Sequence, residues 1–136
     1  MKIEYASIDT DYPYLTENDH DVPPIRIRRK IKHNEILVIR DDGHTVGWLR
    51  FGYFWDMIPI MNMLSLEESY RGKGVGTQLV SFWESEMHRQ GHSSVMTTTL
   101  SDEQAQHFYR KLGYKDVGAL LLPNEALEII FIKNLQ

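Results

Sequence analysis

Apolar residues recur along this chain with two different periods, and the switches between them mark the elements. Lys2 to Ser7 reads as a short strand. Asp9 to Asp21 is acidic and turn-rich, with no period that assigns it an element. Pro23 and Pro24 then open a helix over Ile25 to His33, in which Ile27 and Ile31 make a narrow buried stripe among Arg26, Arg28, Arg29, Lys30 and Lys32, with Asn34 as its end. Glu35–Arg40 and Thr45–Phe54 are rich in β-branched and aromatic residues. The Asp41-Asp-Gly-His44 segment between them predicts a hairpin.

Ile60 to Leu66 is a third apolar run, with Pro59 tolerable at its start. Beyond Gly74 the period changes: Val75, Leu79, Phe82, Trp83 and Met87 fall at helical spacing, and Gly91 closes the longest helix. Ser94–Leu100 reads as a strand. Ser101-Asp-Glu-Gln104 has the form of a capping box for a helix whose Ala105, Phe108 and Leu112 share one face and whose end is Gly113. Tyr114–Leu122 and Ala126–Ile132 are two strands around a turn at Pro123-Asn124. The order β, α, β, β, β, α, β, α, β, β predicts an α/β (α+β) fold, a mixed sheet covered by helices. At 136 residues it is expected to be a single domain.

Composition narrows the chemistry. No residue is cysteine, which excludes disulfides, thiolate metal sites and a cysteine nucleophile, so any group transfer is direct or runs through another residue. The six histidines are scattered, and the His88/His92 pair brackets Gly91, so no metal is expected. A net charge of −4 argues against general nucleic-acid affinity. Met1 to Leu15 holds three acidic residues and no continuous apolar stretch. Neither a signal peptide nor a membrane span is expected, and a cytoplasmic location is the default.

The chemistry concentrates in Leu64-Ser-Leu-Glu-Glu-Ser-Tyr-Arg-Gly-Lys-Gly-Val-Gly76, where a strand passes through a glycine-rich turn into the long helix. Glycines at 72, 74 and 76 let the backbone approach a ligand, and outward N–H groups at a helix N-terminus suit a phosphate. Arg71 and Lys73 add positive charge. Alone, such a turn is equally well a structural tight turn. It lacks the Gly-Lys-Ser/Thr ending of a P-loop and the parallel βαβ context of a dinucleotide fingerprint.

Two motifs together are more specific. Arg71-Gly-Lys-Gly-Val-Gly76 resembles the Arg/Gln-x-x-Gly-x-Gly/Ala pyrophosphate loop of the GNAT acetyltransferases, and Ala105-Gln-His-Phe-Tyr-Arg-Lys-Leu-Gly-Tyr114 resembles their second motif, in the family's order and separation. The resemblance implies a GNAT fold with a mixed, mostly antiparallel sheet whose strands splay near an acetyl-CoA site. It implies that Arg71, Gly72, Lys73, Gly74, Val75 and Gly76 hold the coenzyme A pyrophosphate, and that the strand carrying Leu64 and Leu66 pairs with the pantetheine arm. The Leu66 N–H would polarise the thioester carbonyl, and Tyr109 would protonate the departing thiolate. Asp102 stands where many relatives have a pantetheine-contacting asparagine. Asn62 stands where some have a catalytic glutamate, and an amide cannot serve as general base.

Alternatives stay open at several of these positions. Tyr109 reads either as the acid or as a core aromatic beside Phe108. Trp55 and Asp56, near the family's acceptor pocket, read as acceptor contacts or as ordinary packing and capping. Glu67 and Glu68 read as solvated surface. The acidic residues Asp9, Asp11, Glu17, Asp19 and Asp21 either recruit a cationic amine or are simply solvated. The expected activity is acetyl transfer from acetyl-CoA to a small amine or a peptide amine. The alternatives are a non-catalytic acyl-CoA-sensing module and, last, nucleic-acid binding through Arg26–Lys32. The sequence leaves the oligomeric state open, a homodimer included.

Overall fold

The computed structural model describes every residue from Met1 to Gln136. Seven strands and four α-helices follow one another as β1 (Lys2–Tyr5), α1 (Ile8–Asn18), α2 (Pro24–Lys32), β2 (Ile36–Asp41), β3 (His44–Phe54), β4 (Ile58–Leu66), α3 (Val75–Arg89), β5 (Ser94–Leu100), α4 (Ala105–Lys111), β6 (Lys115–Leu120) and β7 (Glu128–Asn134). The sheet order is β1-β2-β3-β4-β5-β7-β6. The β1–β2, β2–β3, β5–β7 and β6–β7 ladders are antiparallel, and β4–β5 is parallel. By internal contacts the chain divides into two compact units, Met1–Phe51 with Met63–Trp83, and Gly52–Asn62 with Glu84–Gln136.

In the first unit the β2–β3 hairpin turns on Asp42 and Gly43, both with positive φ (51° and 82°), as a two-residue turn matched to strand twist requires. Ile36, Leu37, Val38 and Ile39 are all fully buried, so β2 is covered on both faces. Ile36 and Val38 pack with Leu15, Ile27, Ile31 and Trp48 in one apolar cluster. The predicted Ile27/Ile31 stripe is therefore the buried face of α2.

Helix α1 is the element that periodicity does not disclose. It forms within the acidic stretch, capped by the Ser7 hydroxyl, which accepts from the Thr10 amide at 3.2 Å, and it carries Pro13 in its interior. Of the acids in and beside it, Asp9, Glu17 and Asp21 are exposed, while Asp11 and Asp19 are neither solvated nor free to recruit an amine. Asp11 and Asp19 are buried. Asp11 takes both ends of the Arg40 guanidinium (2.7 and 2.9 Å) and the Ser7 amide (2.8 Å). Asp19 accepts from Arg50 at 2.8 and 3.3 Å and from the Trp48 indole N–H at 3.3 Å. Arg40 and Arg50 come from β2 and β3, so these pairs pin α1 to the sheet. The basic run on α2 is also partly used internally. Lys30 reaches Glu35 (2.9 Å) and the Phe51 carbonyl (2.6 Å), and Arg28 lies over the Tyr12 ring.

In the second unit α4 departs from expectation twice. The capping box does not form: residues 101–104 make turns, Gln104 sits at the N-cap with no side-chain cap bond, and Glu103 instead accepts from the Leu100 amide at 3.4 Å. The helix therefore starts at Ala105 rather than just after Ser101. Its buried residue is Tyr109, while Ala105 is exposed and Phe108 and Leu112 are half-buried. Gly113, at φ 95°, ends it as predicted.

Candidate functional site

The glycine-rich segment begins where β4 ends. Leu64 and Leu66 are half-buried on that strand, and Gly47 of β3 has no side chain because one would collide there. A Cβ on Gly47 would lie 2.5 Å from Leu66 Cδ2 and 2.7 Å from the Ser65 carbonyl oxygen. The Val46 carbonyl then accepts from the Glu67 amide at 2.8 Å. After a single 3-10 turn, Glu68–Tyr70, the Tyr70 hydroxyl donates to Asp41 at 2.7 Å. Arg71 folds its Nε back onto the Leu66 carbonyl at 3.0 Å, which ties the loop to the strand end.

Gly72 and Gly74 take φ of 71° and 82°, a region that costs other residues strain. An added Cβ would meet nothing within 4 Å at either position, so backbone conformation and not crowding demands glycine. Arg71 donates its amide to Glu68 O (3.2 Å) and Gln78 donates to Gly74 O (3.1 Å), whereas the amides of residues 72–77 make no backbone hydrogen bond. Six consecutive N–H groups thus lie without backbone partners at the start of the 15-residue α3, where the helix dipole is positive. Lys73 is exposed in this loop and Val75 is buried beneath it. The arrangement can bind a diphosphate through main-chain donors.

The second cluster is built on α4, β4 and β5. The parallel pairing of β4 with β5 joins Ile60 to Met96 and Met61 to Thr97, while the strands themselves run on to Leu66 and Leu100. Tyr109 is 6% exposed, and its hydroxyl meets Met61 Sδ at 3.7 Å. Phe108, Tyr114 and Phe131 surround its ring with centroids 5.1 to 6.3 Å away. Thr97, buried on β5, donates its hydroxyl to the Met61 carbonyl at 3.0 Å. Burial pushes the Tyr109 phenol up to about 12, with Glu103 adding a further rise. Tyr109 is thus both a core aromatic and the bearer of a weakly engaged hydroxyl, since a thioether is a poor acceptor.

The other predicted positions lie on three separate segments of the chain. Asn62 is exposed on β4 beside Met61, and Asp102 is exposed in the turn after β5. Trp55, Asp56 and Met57 make the turn between β3 and β4, with Trp55 and Asp56 at positive φ (56° and 59°) and Trp55 74% exposed, its ring tilted against that of Phe54. That turn enters β4, whereas the glycine loop follows its exit. Thr97 and Met61 did not declare themselves in the sequence. The available signal was threonine at alternate positions, 97 and 99, of a strand otherwise apolar on its buried face.

Raised phenols make stability fall at alkaline pH. Tyr109 and Tyr114 are both pushed up by burial, Tyr114 further by the Glu84 carboxylate that accepts its hydroxyl at 2.8 Å. The unfolded chain releases these protons near pH ~10, the folded chain only at higher pH, so the folded state binds more protons in that interval. Stability is therefore complete below pH ~10 and declines above it, by about 2–3 kcal/mol for Tyr109 alone once pH passes its folded value. Urea midpoints measured from pH 8 to 11 should drop, and the drop should shrink in Tyr109→Phe. A flat profile would contradict the burial of both phenols.

Comparison with known proteins decides the family. Residues 32–116 match the acetyltransferase (GNAT) domain family, which is more than half of the chain. The chain belongs to the GNAT acetyltransferase family. An uncharacterized N-acetyltransferase of Chlorobaculum tepidum is 25% identical over 107 residues, covering 74% of this chain; the match spans 66% of that relative's length. Among solved structures, Ard1 of Thermoplasma volcanium superposes with a TM-score of 0.81 at 19% identity, covering 99% of this chain and 97% of the other. An aminoglycoside 6'-N-acetyltransferase complexed with coenzyme A gives 0.79 at 22% identity, covering 100% and 98%. At such identities the likeness establishes the GNAT fold, a mixed and mostly antiparallel sheet with helices. Residues 32–116 are thus an acetyltransferase domain of the GNAT type. No helix in it is long and apolar enough to cross a membrane.

Proposed function

We propose that this protein is an N-acetyltransferase that binds acetyl-CoA and passes the acetyl group directly to a primary amine. The observation that carries the reading is the run of partnerless amides over residues 72–77 on two positive-φ glycines at the start of α3. In this assignment Arg71, Gly72, Lys73, Gly74, Val75 and Gly76 take the pyrophosphate, and Leu64 and Leu66 on β4 take the pantetheine arm. The Leu66 N–H is the donor to the thioester oxygen. Asp102 accepts a hydrogen bond from the same arm. The short β4–β5 pairing supports the opening of the two strands that the family resemblance implies.

The amine nitrogen forms a bond to the carbonyl carbon, the oxygen carries negative charge in the tetrahedral intermediate, and collapse breaks the C–S bond with the electron pair going to sulfur. Nitrogen loses one proton and sulfur gains one, so the products are an amide and free coenzyme A. Asn62 contributes no base, so the amine arrives neutral or releases its proton to water. Tyr109, a weak acid at about 12, stays protonated at neutral pH and faces a thiolate whose conjugate acid resembles a thiol near ~8.5. Its part is to donate a hydrogen bond to the departing sulfur, and any proton it passes on after the C–S bond breaks is replaced by the one nitrogen releases, carried through water. Trp55 and Asp56, in the turn that enters β4, and Asn62, exposed on β4, are the acceptor contacts in this assignment.

Gly74 supplies the test. Asparagine tolerates positive φ, so Gly74→Asn should fold with little loss while placing a side chain among the loop amides. Calorimetry should show coenzyme A binding weakened by roughly 10-fold or more, a loss of about 1.4 kcal/mol or greater. Gly74→Val adds backbone strain and should bind worse still. Unchanged affinity in a folded Gly74→Asn protein would remove the loop from the coenzyme site.

A further inference from the structure

Two side chains converge on Met61 from different elements: the Thr97 hydroxyl on its carbonyl oxygen at 3.0 Å and the Tyr109 hydroxyl on its sulfur at 3.7 Å. All three residues are buried, and Met61 and Thr97 are themselves opposite each other in the parallel ladder. A buried hydroxyl with a free choice of rotamer would not hold one direction against a thioether alone, because that acceptor is weak. Thr97 removes the choice. By giving its own proton to the Met61 carbonyl it ties to β5 the residue whose sulfur the phenol meets, so that Met61 keeps one place beneath the Tyr109 hydroxyl.

We infer that Thr97 is a positioning residue, acting through Met61 and Tyr109 to keep the phenol hydroxyl aimed and only lightly engaged until a ligand atom takes its hydrogen bond. This rests on the reading of Tyr109 as the donor to the leaving sulfur. A β-branched residue at 97 is also what a buried strand position favours, so valine would satisfy the strand and lose only the hydroxyl.

Thr97→Val, Thr97→Ser and Tyr109→Phe, alone and combined, separate the roles. The 13Cζ chemical shift of Tyr109 at neutral pH, assigned by its disappearance in Tyr109→Phe, should move in Thr97→Val and return in Thr97→Ser. With an amine that is turned over, Thr97→Val should lower kcat by roughly 3- to 10-fold, the range of one hydrogen bond, with KM for acetyl-CoA unchanged and serine restoring the rate. In a Tyr109→Phe background the same substitution should cost little more. An unmoved Tyr109 resonance in Thr97→Val overturns the inference, as does an equal loss of kcat with and without the Tyr109 hydroxyl. If Tyr109→Phe itself turns over at the wild-type rate, the donor role of Tyr109 fails, whereas the resonance still reports whether Thr97 positions it.

Discussion

Asp19→Ala is expected to destabilise the protein by about 3–5 kcal/mol, the cost of stripping one partner from a buried ion pair. Asp19 is 2% exposed and Arg50 5% exposed, and alanine would leave the guanidinium, the Trp48 indole N–H and the Asp21 amide all short of an acceptor. The loss comes mainly from the charge left behind. Replacing both partners, as in Asp19→Leu with Arg50→Met, should therefore recover much of it, because well-packed apolar pairs of similar volume often match a buried ion pair. Urea denaturation reads the outcome as a lower midpoint at unchanged slope. A single-mutant loss under about 1 kcal/mol would mean that the pair is solvated and that α1 is held by apolar packing alone.

Tyr109→Phe is the variant expected to cost most in rate at least cost in structure. A positioned acid or donor contributes ~10²- to 10⁴-fold, and a thiolate leaving group needs it least, so kcat should fall by roughly 10² while acetyl-CoA affinity barely changes. Phenylalanine keeps the ring among Phe108, Tyr114 and Phe131 and gives up only a weak contact with sulfur, so stability should hold near neutral pH. Alanine at the same position opens a cavity and should cost about 3–5 kcal/mol. Single-turnover kinetics with a reactive amine isolates the chemical step. A Tyr109→Phe enzyme at the wild-type single-turnover rate would leave this residue a packing role only.

Local signals were enough for most of the frame. The hairpin turn, the Ile27/Ile31 stripe, the long helix and Ser94–Leu100 each follow from spacing or turn chemistry within a short window, and each forms. Helix α1 does not follow, because its buried face includes Asp11, and that acid is apolar in effect only once Arg40, 29 residues away, has neutralised it. Asp19 just beyond its end depends in the same way on Arg50, 31 residues away. The choice between Phe108 and Tyr109 as the inward residue of α4 likewise turns on where the helix begins. An apparent capping box at Ser101 implied an earlier start than Ala105. The glycine loop was legible because its positive-φ glycines and its amides without backbone partners are local features of the backbone. The Met61–Thr97–Tyr109 convergence was not, because it joins three elements through a side-chain bond to a carbonyl.

An acetyltransferase of this kind binds acetyl-CoA and consumes it only when an amine is present. Release of free coenzyme A thiol from acetyl-CoA, followed against a panel of small amines and peptides with free amino ends, tests this most directly. Binding should first show as a raised melting temperature, with about 2.7 kcal/mol of stabilisation at a hundredfold excess over Kd. Thiol release should then depend on the amine, saturate with both substrates, and yield one acetylated amine per thiol. Binding without amine-dependent release across the panel would make the protein a sensing module on the same fold, and absence of both binding and release at millimolar acetyl-CoA would overturn the assignment of acetyl-CoA as its substrate.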